Sequence, residues 1–114
     1  MHFRTVAVSL AVGAGLACVP LAAGPNAKTG AQISAQCAAC HGADGMSVDT
    51  TIPNLAGQHY VYLVQQLKAF KNHTRGSPLM NELAQPLTQQ QIEDISAYYS
   101  QMPIEIGKRP KPKQ

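Results

Sequence analysis

The chain has 114 residues, of which 45% are hydrophobic and only 13% charged, and its net charge is +3. That length leaves room for one domain, while the charged share falls well below the roughly 25% of ordinary globular chains. Part of the deficit has a local cause. The first 23 residues, MHFRTVAVSLAVGAGLACVPLAA, place Arg4 ahead of an apolar run from Val6 to Val19 and then small residues around Ala22 and Ala23. This is the layout of a cleaved secretory signal peptide. The run is shorter than the roughly 20 residues that a membrane-spanning helix requires, so the expectation is removal near Ala23 rather than anchoring. Gly15-Leu16-Ala17 ahead of Cys18 is a poor fit to lipid attachment.

Without the leader, three cysteines become two, Cys37 and Cys40, and the large aromatics are Tyr60, Tyr62, Phe70, Tyr98 and Tyr99. A domain this small buries a modest share of its surface and commonly needs a disulfide, a metal or a cofactor. Its core is short of large side chains, as though something else fills it.

The predicted elements are helical. Lys28 to Cys40, KTGAQISAQCAAC, is proline-free and rich in helix-compatible residues, which predicts a first helix running into the cysteines. HGADGMSVDTTIPNLAG then reads as loop. From Gln58, the positions Tyr60, Leu63, Val64, Leu67 and Phe70 recur at three- and four-residue steps, predicting an amphipathic helix that ends between Asn72 and Arg75. GSPLMNELAQP reads as a second loop. Thr88 with Gln91 makes a capping box for a last helix, whose inner face carries Ile92, Ile95, Tyr98 or Tyr99, and Met102 before Pro103 stops it. No stretch alternates apolar and polar residues, so the prediction is an all-α fold of three main helices. Its long loops would wrap a central ligand.

Cys37-Ala38-Ala39-Cys40-His41 carries the chemistry. A dithiol redox pair of this spacing belongs in a βαβ setting, which is lacking. Zinc needs four ligands, commonly in two close pairs, and beyond Cys37 and Cys40 only His41, His59 and His73 remain. Covalent haem attachment asks for two thiols one helical turn apart and an imidazole directly after them, which C-x-x-C-H supplies. A secretory leader delivers the chain to the compartment where bacterial haem ligation occurs.

The region from residue 24 to 107 resembles a class I cytochrome c of the small bacterial monohaem type, similar also to one half of dihaem bacterial cytochromes c. The resemblance rests on CAACHG-DG (Cys37 to Gly45), IPNLAGQ (Ile52 to Gln58) leading into YLVQQLKAFK, PLMNELA (Pro78 to Ala84) and LTQQQIEDISAYYSQM (Leu87 to Met102). It implies the class I cytochrome c fold around one covalent haem c, with Cys37 and Cys40 as thioether positions and His41 as an axial iron ligand. Met80, between Pro78 and Pro86, occupies the position of the family's axial methionine. Met46 follows too closely after His41 to reach the other face, Met102 falls on the apolar stripe of the last helix, and His59 and His73 sit at helix ends. The resemblance further implies that the Pro53 carbonyl accepts a hydrogen bond from the axial histidine, and that Gly30 meets Tyr98 or Tyr99 where the first and last helices cross. Asn54 and Gln58 are candidates for the haem propionates.

The basic residues are unevenly placed. Lys108, Arg109, Lys111 and Lys113 lie in the tail, whereas the body holds Lys28, Lys68, Lys71 and Arg75 against six acids. Residues 108–114 read as a disordered basic tail or as an arm docking on an acidic partner or an anionic surface. The leader argues against nucleic acid as a partner. The expected function is a periplasmic electron carrier with a redox protein as donor and another as acceptor, a dehydrogenase or terminal oxidase among them, the carrier being a monomer and not an enzyme. The alternatives are a dedicated cytochrome subunit of an oxidoreductase complex with a flavin- or metal-containing dehydrogenase, and a haem sensor or peroxidase with a displaceable Met80.

Overall fold

The computed structural model describes residues 23–105 and Gly107, so the leader up to residue 22 and the basic tail lie outside the described residues. Five helices follow one another: α1 Ala27–Ile33, α2 Ala35–His41, α3 Tyr60–Lys71, α4 Pro78–Ala84 and α5 Gln89–Ser100. There is no strand among the described residues, and the fold is all-α as the periodicity predicts.

Two expectations need correcting. The single helix predicted over Lys28 to Cys40 is divided at Ser34, whose φ and ψ are −81° and 1°. Ser34 is buried, and its hydroxyl donates to the Gly30 carbonyl at 2.6 Å. Such back-bonding competes with the helical ladder and bends it. The second correction concerns GSPLMNELAQP, which is not a loop. Ser77 is the N-cap, accepting from the Met80 amide, and Pro78 takes the first turn of α4, where its missing N–H costs nothing. Met80 therefore stands on a helix, a short one added to the three main helices, and with the break at Ser34 the described residues form five helical segments.

Helices α1 and α5 cross in close contact, and α3 packs on both α5 and α4. The crossing depends on Gly30. A Cβ built there would lie 2.0 Å from the Asp94 carbonyl oxygen and 2.9 Å from the Tyr98 Cβ, so no larger residue fits without separating the helices. Beside the crossing, the Asn26 amide donates to the buried Asp94 carboxylate at 2.7 Å. The Asn26 side chain caps α1 through the Lys28 and Thr29 amides, which places the start of α1 on α5. The capping box of α5 is complete, with Thr88 and Gln91 each bonding the other's backbone.

The segment between α2 and α3 is pinned by its own hydrogen bonds. The Gly45 carbonyl accepts from the amides of Leu55 and Ala56 at 2.8 and 3.0 Å, and the Gly57 amide reaches the Tyr99 carbonyl at 2.9 Å. Met102 packs against this base, its sulfur about where a Cβ on Gly45 would point, and belongs to the rim of the hydrophobic cluster. Leu63, Phe70, Ala84, Leu87, Ile92, Ile95 and Tyr99 form that cluster. It is a thin core, and it lies to one side of a cavity.

Candidate functional site

A cavity of about 390 Å³ opens between α2, the Thr51–Leu55 segment, α3, α4 and α5, within the roughly 300–1,000 Å³ usual for ligand sites. Each helix supplies a face. Leu63, Leu67 and Phe70 line it from α3 at helical spacing, Met80, Leu83 and Ala84 from α4, and Ile95 and Tyr99 from α5. The polar chemistry enters from α2, whose last turn brings Cys37, Cys40 and His41 to the same wall.

His41 is buried, and its Nδ1 lies 2.8 Å from the Pro53 carbonyl oxygen. A carbonyl can only accept, so Nδ1 carries the proton and donates. The other nitrogen, Nε2, keeps its lone pair, which is the form an imidazole needs to bind a metal. Pro53 is placed by the pinned segment that contains it, and it lines the cavity as well.

The cysteines are not joined to each other. Cys37 is half-buried and Cys40 exposed. Burial pushes the Cys37 thiol up from its ordinary value, partly offset by a backbone hydrogen bond and reinforced by Cys40. Neighbouring thiols at this spacing, one deep and one at the mouth, can each bond one edge of a planar ligand.

Of the six histidine and methionine side chains considered as iron ligands, His41 and Met80 line the cavity. His59 is exposed and bonds its neighbour Gln58. His73 is exposed in the turn after α3, with φ at 57°, and Met46 and Met102 are likewise absent from the cavity wall. Asn54 and Gln58 line it, although the Asn54 carbonyl oxygen accepts from the Ser47 amide and that of Gln58 from the His59 amide.

Three lining or supporting residues gain a part in the site that the sequence did not assign them: Tyr99, expected only at the helix crossing and on the inner face of the last helix, Arg75 and Asn81. Tyr99 is 1% exposed, yet its hydroxyl has no hydrogen-bond partner. Burial pushes its pKa up to about 12, with Cys37 and Tyr98 adding to the effect and nearby Ser34 opposing it. Arg75 stands at the cavity edge with its guanidinium 4.5 Å from the Phe70 ring centroid. Asn81 is buried beside Met80, and its amide donates to the carbonyls of Phe70 and Arg75 at 2.6 and 2.9 Å. Its carbonyl oxygen accepts from the Ser77 amide at 2.9 Å. This one side chain closes the turn between α3 and α4. Neither its burial nor its backbone partners are marked in the sequence, where an asparagine beside a methionine has no period or motif to set it apart.

The residues fit a covalently bound haem c. The walls are apolar, two thiols stand at one edge, a pre-oriented imidazole and a thioether share the space, and Tyr99 lines it from α5. Cys37 and Cys40 would hold the group, with His41 and Met80 available to its iron.

Residues 27–103 match the family described as cytochrome c. The chain is 46% identical over 74 residues to cytochrome c-552 of Acidithiobacillus ferridurans, covering 65% of this chain and 31% of that one. It is 39% identical over 70 residues to a thiosulfate dehydrogenase electron acceptor of Thiomonas intermedia, covering 60% and 32%. Among solved structures, cytochrome c4 of Acidithiobacillus ferrooxidans superposes with a TM-score of 0.64 at 41% identity, over 68% of this chain and 49% of that one. The chain thus spans about a third to a half of the length of these relatives.

Proposed function

The chain belongs to the cytochrome c family, and from that premise we propose that it carries single electrons between redox proteins of the periplasm. The family's haem c, held at the Cys37 to His41 motif, supplies a one-electron iron couple. In this reading Cys37 and Cys40 would form the thioether links and His41 and Met80 would serve as the iron ligands, while the Pro53 carbonyl holds the His41 ring in orientation. The observation that carries it is the joint presence of His41 and Met80 on the cavity that the cysteines line. A soft thioether opposite an imidazole favours ferrous iron and raises the reduction potential. With both axial positions filled by the chain, dioxygen or a substrate would have to displace a ligand, so outer-sphere electron transfer is favoured over catalysis.

The proposal includes a leader cleaved near Ala23, a haem-binding domain over residues 24–107 and a basic tail over 108–114. Among the described residues no helix is long and apolar enough to cross a membrane. The optical spectrum of the natively purified protein tests the reading. A sharp reduced α-band and a weak ferric sulfur-to-iron band are expected, and a spectrum without covalent haem overturns it.

A second reading is a dedicated cytochrome subunit that accepts electrons from a dehydrogenase. The likeness to a thiosulfate dehydrogenase electron acceptor favours it. Gel filtration of the native protein separates the two, because a free carrier elutes alone and a subunit elutes with its dehydrogenase.

A further inference from the structure

One buried carboxylate has no part in the cavity. Asp94, on α5, is 3% exposed, and among the described residues the groups bonded to it are neutral, the Asn26 amide at 2.7 Å and the Gln90 side-chain amide at 2.9 Å. A carboxylate held out of water normally has a cation beside it. The same Gln90 nitrogen donates to the Gly24 carbonyl at 3.3 Å, and the φ of the intervening Pro25 is fixed by its ring. The chain is therefore held against α5 from Gly24 onward. Gly24 is also the first residue after the bond at which the leader is expected to be cut.

We propose that cleavage of the Ala23–Gly24 bond supplies the missing cation: the new α-ammonium of Gly24 pairs with Asp94 and fastens the start of α1 to α5. The inference rests on the reading of the first 23 residues as a cleaved leader. Hydrolysis adds water across the bond, leaving a carboxylate on the departing leader and an amine on Gly24, which takes up a proton at neutral pH. In the uncut chain that nitrogen is a neutral peptide amide. It stands two residues before the Asn26 amide already seated on Asp94, a span of at most about 7 Å. The other ionisable groups around Asp94 do not replace it. Glu93, beside it on α5, bonds the Gln89 side chain and adds negative charge. Tyr60 of α3 has its pKa pushed up by burial and by Glu93 and Asp94, which keeps it neutral. Lys28 of α1 is exposed and is not bonded to Asp94.

The test compares two holoproteins, one beginning at Gly24 and one that keeps Ala22 and Ala23 and so carries its ammonium away from Asp94. Near neutral pH the first should resist denaturant better, its unfolding equilibrium lower by roughly two- to five-fold, as for a partly exposed ion pair. Pairing raises the folded pKa of an α-amine above its ordinary value of about 7.7–8.0. The advantage is thus complete below that range and lost as pH rises through the raised value, where the two proteins should converge. In Asp94→Asn the two N-termini should be equally stable, and the Gly24 amine, followed by NMR of the isotopically labelled glycine, should titrate at lower pH than in the parent. Equal stability of the two parent N-termini near neutral pH overturns the proposal, as does a Gly24 amine that titrates alike in the parent and in Asp94→Asn. A natively processed protein whose mass begins at another residue fails the underlying reading instead.

Discussion

The Nδ1–H of His41 donates to the Pro53 carbonyl across 2.8 Å, joining the last residue of α2 to a segment twelve residues further on. The bond makes the orientation of the imidazole a property of the loop. Pro53→Ala keeps the carbonyl but frees the backbone, and should cost about 0.4–1 kcal/mol through the unfolded chain. Denaturant unfolding of the holoprotein measures this. A sharpened or unchanged stability would show that the loop is held by Gly45 and Asn54 alone.

Met80 should be decisive for ligation. Met80→Ala is expected to lose the ferric sulfur-to-iron absorption and to let the ferrous protein bind carbon monoxide at neutral pH, where the parent should bind none. A variant that keeps the sulfur band would move the second axial role to another residue. Carbon monoxide binding by the parent would favour the sensor or peroxidase reading.

Gly30→Ala tests the helix crossing. With the Asp94 carbonyl oxygen 2.0 Å from the new carbon, α1 must withdraw from α5, and overpacking of this kind costs about 1–3 kcal/mol. A lowered denaturation midpoint with little change in the spectrum is the expected result, since the crossing lies away from the cysteines.

Asn81→Ala leaves the carbonyls of Phe70 and Arg75 and the Ser77 amide without their partner. Each buried unsatisfied group costs about 1–3 kcal/mol, although solvent reaches part of this turn. The loss should appear both in global stability and in faster exchange of Met80 by added imidazole, because the same side chain anchors the start of α4.

The basic tail gives a kinetic prediction. Truncation after Gly107 removes Lys108, Arg109, Lys111 and Lys113. It should flatten the ionic-strength dependence of electron exchange with an acidic redox partner, measured by stopped flow. An identical salt slope would leave the tail without a docking role.

The helices that carry long apolar stripes were legible in the sequence. Tyr60 to Phe70 and Ile92 to Tyr99 announce their period, and Thr88 with Gln91 announces where α5 begins. Helix α4 was hidden because it is only seven residues long and lies between Pro78 and Pro86. The Ser77-Pro78 pair, a cap followed by a first-turn proline, was nevertheless the signal that marks it. The break at Ser34 depends on a buried hydroxyl bonding back to Gly30, which no periodicity reveals. Within the site, CAACH is contiguous and therefore readable, whereas Arg75 and Tyr99 gain their meaning only when α3 and α5 are folded against one cavity.

Leu63, Phe70, Ala84, Leu87, Ile95 and Tyr99 are at once the interior of the protein and the walls of its cavity. A group seated in the cavity would therefore rest on the very side chains that hold the helices together, so that site and core are one surface. A substitution that widens the site also thins the core, and one that repacks the core also reshapes the site.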